Sequence, residues 1–169
     1  MASSSLSGVT LLTSQHDRSA FDCGAPALNI YLSQYALQNQ KKDIVRNYIV
    51  TREKRIVGYY SLAYGSVSRS DMPVEMSKGL PDYPVPMILL ARLAIDTSEK
   101  GQGLGAALLK DAMFRTVQAS EIAGLRALFV HAKDDDAASF YQKYAFTPSP
   151  ANPLHLFLPL TALKKIIFQ

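Results

Sequence analysis

Cysteine is nearly missing from this 169-residue chain: Cys23 stands alone, which excludes an internal disulfide and fits a reducing, cytoplasmic setting. A buried structural thiol is the expectation for it. No apolar run approaches the ~20 residues needed to span a bilayer, so no membrane partner is expected. The opening MASSSLSG has neither the basic region nor the apolar core of a signal peptide. His16, His131, His155 and the scattered carboxylates show no metal-ligand spacing, so no metal is expected. A phosphate-binding P-loop is excluded too, because no Gly-Lys-Ser/Thr follows the glycine cluster. A GxGxxG followed by an acidic residue about 20 positions on is likewise absent.

What is present is an ordinary globular composition, 48% hydrophobic and 19% charged, at a length that suits one domain. Such a chain buries roughly two-thirds of its unfolded surface without staples. Residues 1–8 read as a flexible leader and 9–169 as a single domain. The net charge of +4 is modest but unevenly placed. Lys41, Lys42, Arg46, Arg52, Lys54 and Arg55 face only Asp43 and Glu53 in one window. A solvated hairpin and a basic rim for an anionic partner such as an RNA backbone both fit that window.

Helical spacing after the Gly24–Pro26 start signal predicts an amphipathic helix over 26–39. Ile44–Thr51 and Ile56–Ser66 predict a hairpin across the charged turn. The segment 69–86, with Pro73, Pro81, Pro84 and Pro86, predicts a long irregular loop. A strand over 87–95, a helix over 103–122 and a strand over Ala127–His131 follow. Asp134, Asp135 and Asp136 then open a helix to about Tyr144, and a strand over Leu154–Leu158 precedes an amphipathic tail. This order predicts an α/β fold with a mixed sheet flanked by helices.

Within that order, the stretch PMILLARLAIDTSEKGQGLG is the most informative. A strand turns through Gly101, Gly103 and Gly105 into a helix whose first turn is bare of side chains. The unpaired N–H groups of a helix start, with the positive end of the dipole behind them, suit a phosphate, and glycines let backbone approach it. An ordinary turn and cap would look the same locally.

Together these pieces resemble the GNAT family of acetyl-CoA-dependent N-acetyltransferases. Lys100-Gly101-Gln102-Gly103-Leu104-Gly105, with Ala106 after it, is similar to the family's Gln/Arg-x-x-Gly-x-Gly/Ala cofactor motif, with Lys100 as the departure. The resemblance implies the GNAT fold, with splayed parallel strands forming the cofactor cleft. It also implies acetyl-CoA contacts from Leu93, Ala94 and Ile95, from Lys100 to Ala106, and from Ser139. Ala137-Ala138-Ser139-Phe140-Tyr141 through Phe146 resembles the segment carrying the family's general acid. Tyr141 falls on that position, and Ala145 replaces the usual glycine. A phenol of pKa about 10 suits protonation of a departing thiolate.

From Phe21 onward the chain resembles the GNAT-fold toxins of bacterial type II toxin–antitoxin modules. The shared stretches are FDCGAPALNIYLSQYALQNQ, GYYSLAYGSV, VPMILLARLAID and GQGLGAALLKDAMFR with VHAKDDDAASFYQKYAF. The resemblance implies acetylation of the free α-amino group of aminoacyl-tRNA, arrest of translation, a ribbon–helix–helix antitoxin and a homodimer. A GNAT enzyme acting on a small amine, a peptide N-terminus or a protein lysine is the alternative. Lys41, Lys42, Arg46 and Arg92 are the candidate tRNA contacts, with Arg52, Lys54, Arg55, Arg69 and Lys78 as further phosphate holders. His131 is a candidate at the acceptor side. No residue stands out as an obligatory general base. An α-amine starts near 7.7–8.0 and an adjacent ester lowers it further, so a strong base is unnecessary for that acceptor.

Overall fold

The computed structural model describes residues 4–168 and divides the chain into two compact units. One comprises Met1–Ala63 with Ala91–Ala112, the other Tyr64–Leu90 with Met113–Gln169.

In the first unit, strand β1 (Thr10–Leu11) pairs antiparallel with β2 (Arg46–Arg52), and β2 pairs antiparallel with β3 (Arg55–Val67). The turn between β2 and β3 is only Glu53 and Lys54, with Glu53 at φ +58°, so both strands outrun their expected ends. Of the leader expected at 1–8, residues 1–3 lie outside the described residues. Ser7 is tied to β2: its N–H donates to the Thr51 carbonyl and its Oγ accepts from the Thr51 N–H, both at 2.8 Å.

The helix expected over 26–39 is a segmented one. Pro26 opens α1 (Pro26–Ile30), a π-helical turn spans Tyr31–Tyr35, and α2 (Ala36–Lys41) follows. The Ala36 N–H reaches back five residues to the Tyr31 carbonyl, inserting one residue into the spiral. The helical spacing 31, 35 would bury Tyr35. The inserted residue rotates Ala36 into the core instead and leaves Tyr35 exposed. Tyr31, Leu32 and Ala36 thus pack with Phe21, Cys23, Ile49, Ile56 and Tyr59. The buried Asn47 pins this helix to β2. Its Oδ1 accepts from Tyr31 Oη at 2.9 Å and Ser61 Oγ at 2.7 Å, while its Nδ2 donates to the Ala36 carbonyl at 2.9 Å. Nδ2 also donates to Gln40 Oε1 at 3.4 Å, so every donor and acceptor of that buried amide side chain has a partner, as burial demands.

In the second unit, β4 (Val85–Ile95) runs parallel to β5 (Ala127–His131) with Ile88, Leu89 and Leu90 opposite Leu128, Phe129 and Val130. Strand β7 (His155–Pro159) pairs antiparallel with β5, and the two-residue β6 (Thr147–Pro148) closes that edge. The sheet is mixed, as expected, and β3 and β4 run through both units. The proline-rich segment 69–86 is not wholly irregular. A 3-10 turn spans Arg69–Asp71, a single helical turn, α3, spans Val74–Ser77, and Val85 and Pro86 already belong to β4. Pro73 removes only its own donor, and its carbonyl accepts the Met76 N–H at 3.0 Å. That turn drives Met72 and Met76 into a core with Val85, Met87, Ala127, Phe129 and Phe157. Helix α4 (Leu104–Ile122) runs through both units, and α5 (Asp135–Lys143) and α6 (Leu160–Ile167) belong to the second.

Candidate active site

The loop between β4 and α4 is built by side chains from its own unit. Asp96, buried where β4 ends, accepts the Asp22 N–H at 2.9 Å, the Ser98 N–H at 3.0 Å and Ser98 Oγ at 2.7 Å. Burial alone would raise its carboxyl. These donors, with Arg55 at 3.8 Å, hold it below the usual carboxylate range instead. Glu99 is held by a two-pronged fork from Arg52, Nε to Oε2 at 3.0 Å and Nη2 to Oε1 at 2.9 Å. Arg52 keeps the Glu99 carboxyl below its ordinary value. Lys100 donates from Nζ to the Cys23 carbonyl at 3.0 Å. The departure from Gln/Arg at this position thus serves as a strut under the loop.

Beyond these struts the backbone is bare. Gly101 and Gly103 sit at φ +80° and +81°, which side-chain-bearing residues rarely adopt, and a methyl group placed on either meets nothing within 4 Å. The first helical hydrogen bond of α4 runs from the Ala107 N–H to the Gly103 carbonyl at 3.1 Å. The N–H groups of Leu104, Gly105 and Ala106 therefore lack intrahelical partners. Free donors, a helix of 19 residues behind them and open space in front fit an anionic diphosphate. What the loop offers is backbone donors, which do not depend on the identity of Lys100. Leu93, Ala94 and Ile95 form the end of β4, past the last β5-paired residue, Leu90. Gln102 lies exposed between the two glycines.

The candidate cations divide. Arg46 pairs with Asp43 at 3.1 Å, an exposed contact worth little in water. Arg52 and Arg55 are engaged with Glu99 and Asp96, Arg69 donates to the Leu80 carbonyl at 2.7 Å, and Lys78 pairs with Glu75 at 3.1 Å. Lys41, Lys42 and Lys54 stay exposed. The Arg92 guanidinium lies 3.4 Å from the centroid of the Tyr31 ring. Stacking uses its flat face and leaves its edge of N–H donors for an anion.

In the second unit, Asp134 caps α5 by accepting the Ala137 N–H at 2.8 Å. Tyr141 is buried in this helix, its ring against Phe140 at 5.3 Å and Phe146 at 5.4 Å. Burial pushes its phenol well above the usual range, so it holds its proton at neutral pH. The Tyr144 ring tilts on Phe140 at 5.2 Å. Ser139 is exposed on the same helix. Ala145 follows the helix at φ +76°, the left-handed conformation for which a glycine would be the unstrained choice. His131 ends β5 and stacks on His155, ring centroids 4.0 Å apart. Sequence reading missed this pair. The signal lay in two mirrored alternations, Phe129-x-His131 and His155-x-Phe157, which an antiparallel register places on one face.

The family model for an acetyltransferase (GNAT) domain matches residues 44–148. A tRNA-acetylating toxin of Mycobacterium tuberculosis is 45% identical over 151 residues, 89% of this chain and 90% of that protein. Among solved structures, AtaT complexed with acetyl-methionyl-tRNAfMet superimposes with a TM-score of 0.89 at 34% identity, covering 98% of this chain and 100% of that one. A tyrosine-to-phenylalanine variant of AtaT, bound to the C-terminus of the antitoxin AtaR and acetyl-CoA, gives a TM-score of 0.83 at 32% identity, covering 98% and 99%.

Proposed function

Because this chain belongs to the GNAT acetyltransferase family, an N-acetyltransferase family that uses acetyl-CoA, we propose that it acetylates the α-amino group of aminoacyl-tRNA and thereby stops translation. The observation that carries the donor half is the bare backbone cradle of Gly101, Gly103 and the start of α4. The acceptor half is supported by likeness to the tRNA-acetylating toxin and to AtaT.

Acetyl-CoA supplies an acyl group activated as a thioester. The protein's residues bind and orient it: N–H groups of Leu104, Gly105 and Ala106 meet the diphosphate, with Gly101 and Gly103 keeping side chains out of its way. Lys100 and Gln102 complete that loop, while the Leu93–Ile95 backbone aligns the pantetheine arm and Ser139 contacts the cofactor from α5. Tyr141, buried and protonated, gives its proton to the departing sulfur. Lys41, Lys42, Arg46 and the edge of Arg92 meet tRNA phosphates. An α-amine beside an ester is largely neutral near pH 7, so it attacks without strong activation.

The same reading gives the enzyme a cytoplasmic setting, a homodimeric state and a ribbon–helix–helix antitoxin that neutralises it. The AtaT–AtaR structure supports an antitoxin partner. Cell-free translation tests the function. Added protein should arrest synthesis only when acetyl-CoA is supplied, and freshly charged tRNA should restore it. Arrest without acetyl-CoA, or no arrest with it, contradicts the proposal.

A further inference from the structure

Acylating an amine releases a proton from nitrogen as well as placing one on sulfur, and the residues assigned so far account only for the second. The second unit contains a cavity of about 360 Å³ whose lining joins the end of β5 to the start of β7. Phe129 and Phe157 give it an apolar wall, and Asp71 and Asn152 lie on its polar side. His131 and His155 stand there face to face, 4.0 Å apart and 19° from parallel. Asn152 Nδ2 lies 3.3 Å from His155 Nε2 and fixes that ring. The β4–β5 ladder ends at Leu90 opposite Val130, and His131 is the next residue along β5. It stands where the strands stop pairing.

We propose that His131 is the group that takes the proton lost by the acceptor nitrogen, with His155 as the positioning residue stacked on it and Asp71 accepting a hydrogen bond from an N–H of the neutral amine. This rests on the acceptor being an α-amine, as under the proposed function. The step balances. The nitrogen bonds to the acyl carbon, the carbon–sulfur bond breaks, and sulfur takes the Tyr141 proton. The newly acidified nitrogen gives one proton to His131, which passes it to solvent, and solvent restores Tyr141. Nitrogen bonded to the acyl carbon is strongly acidic, so a weak neutral base suffices. Burial first, then the neighbouring His155, lowers the His131 imidazole below its usual range and keeps it neutral at physiological pH. The titratable and charged groups lining the cavity are His131, His155 and Asp71.

The test is the pH profile of acetylation, with charged tRNA and with glycinamide as acceptors. His131→Gln should lower kcat about 100-fold with acetyl-CoA affinity retained. His155→Gln should move the acid limb to higher pH, and the His131 ring signal should titrate closer to an ordinary histidine by NMR. Asp71→Asn should raise the acceptor KM several-fold. A His131→Gln enzyme with wild-type kcat and an unmoved acid limb overturns the proposal. So does a His131 titration indifferent to His155→Gln, which decides the matter even if His131→Gln fails to fold. Wild-type acetylation of glycinamide but not of charged tRNA contradicts the proposed function alone, and the glycinamide profile still decides the histidine pair.

Discussion

The proposed proton donation rests on one hydroxyl, that of Tyr141. Its burial among Phe140 and Phe146 raises the phenol and keeps it protonated at neutral pH, the form that the proposed proton donation to sulfur requires. Tyr141→Phe retains the ring packing and removes only that proton. Acetyl transfer should fall by at least about 100-fold while acetyl-CoA affinity stays within about twofold, as read by single-turnover rates and calorimetry. Undiminished transfer would remove the tyrosine from this role. The place of Tyr141 on α5 was legible in the sequence, because the acidic start at Asp134 set where that helix begins. The stacked histidines were not legible, because residues 24 positions apart become neighbours only through the β5–β7 register.

Elements were readable wherever the local signal agreed with the packing. Strand β5 appears with the expected bounds, and Asp134 caps α5 as its sequence suggests. The π-helical turn escaped periodicity reading, because Ala36 is held by a bond from Asn47 Nδ2, 11 residues away, that local spacing does not register. The one-turn helix α3 escaped because four prolines outweighed two methionines that the core of that unit buries. Ala145 shows the cost of such an override at a helix end. Holding an L-residue in the left-handed region costs about 1–2 kcal/mol, and glycine's greater freedom in the unfolded chain returns part of that. Ala145→Gly should therefore stabilise the fold by about 1 kcal/mol in chemical denaturation. A neutral or destabilising result would mean that Ala145 carries no strain.

Across the whole chain, the donor side and the acceptor side stand on different footings. The geometry of the loop before α4 was legible because its signals are local: glycines at positive φ and unpaired amides at a helix start. A phosphate site needs little else, and Lys100 proved to be a strut rather than a defect. The acceptor depends on surfaces assembled from distant segments, and several cations expected to face tRNA are engaged within the protein, Arg52 above all. Exposed Lys41, Lys42 and Lys54 leave a narrower basic rim than the net charge of +4 suggests. The direct measurement is the position of the transferred label. Charged tRNA is incubated with the protein and labelled acetyl-CoA, the aminoacyl ester is hydrolysed, and the released amino acids are identified by mass spectrometry. The account predicts acetyl on the α-nitrogen of an amino acid released from tRNA. Label confined to lysine side chains, peptide N-termini or small amines, with none on the tRNA-borne amino acid, would contradict it.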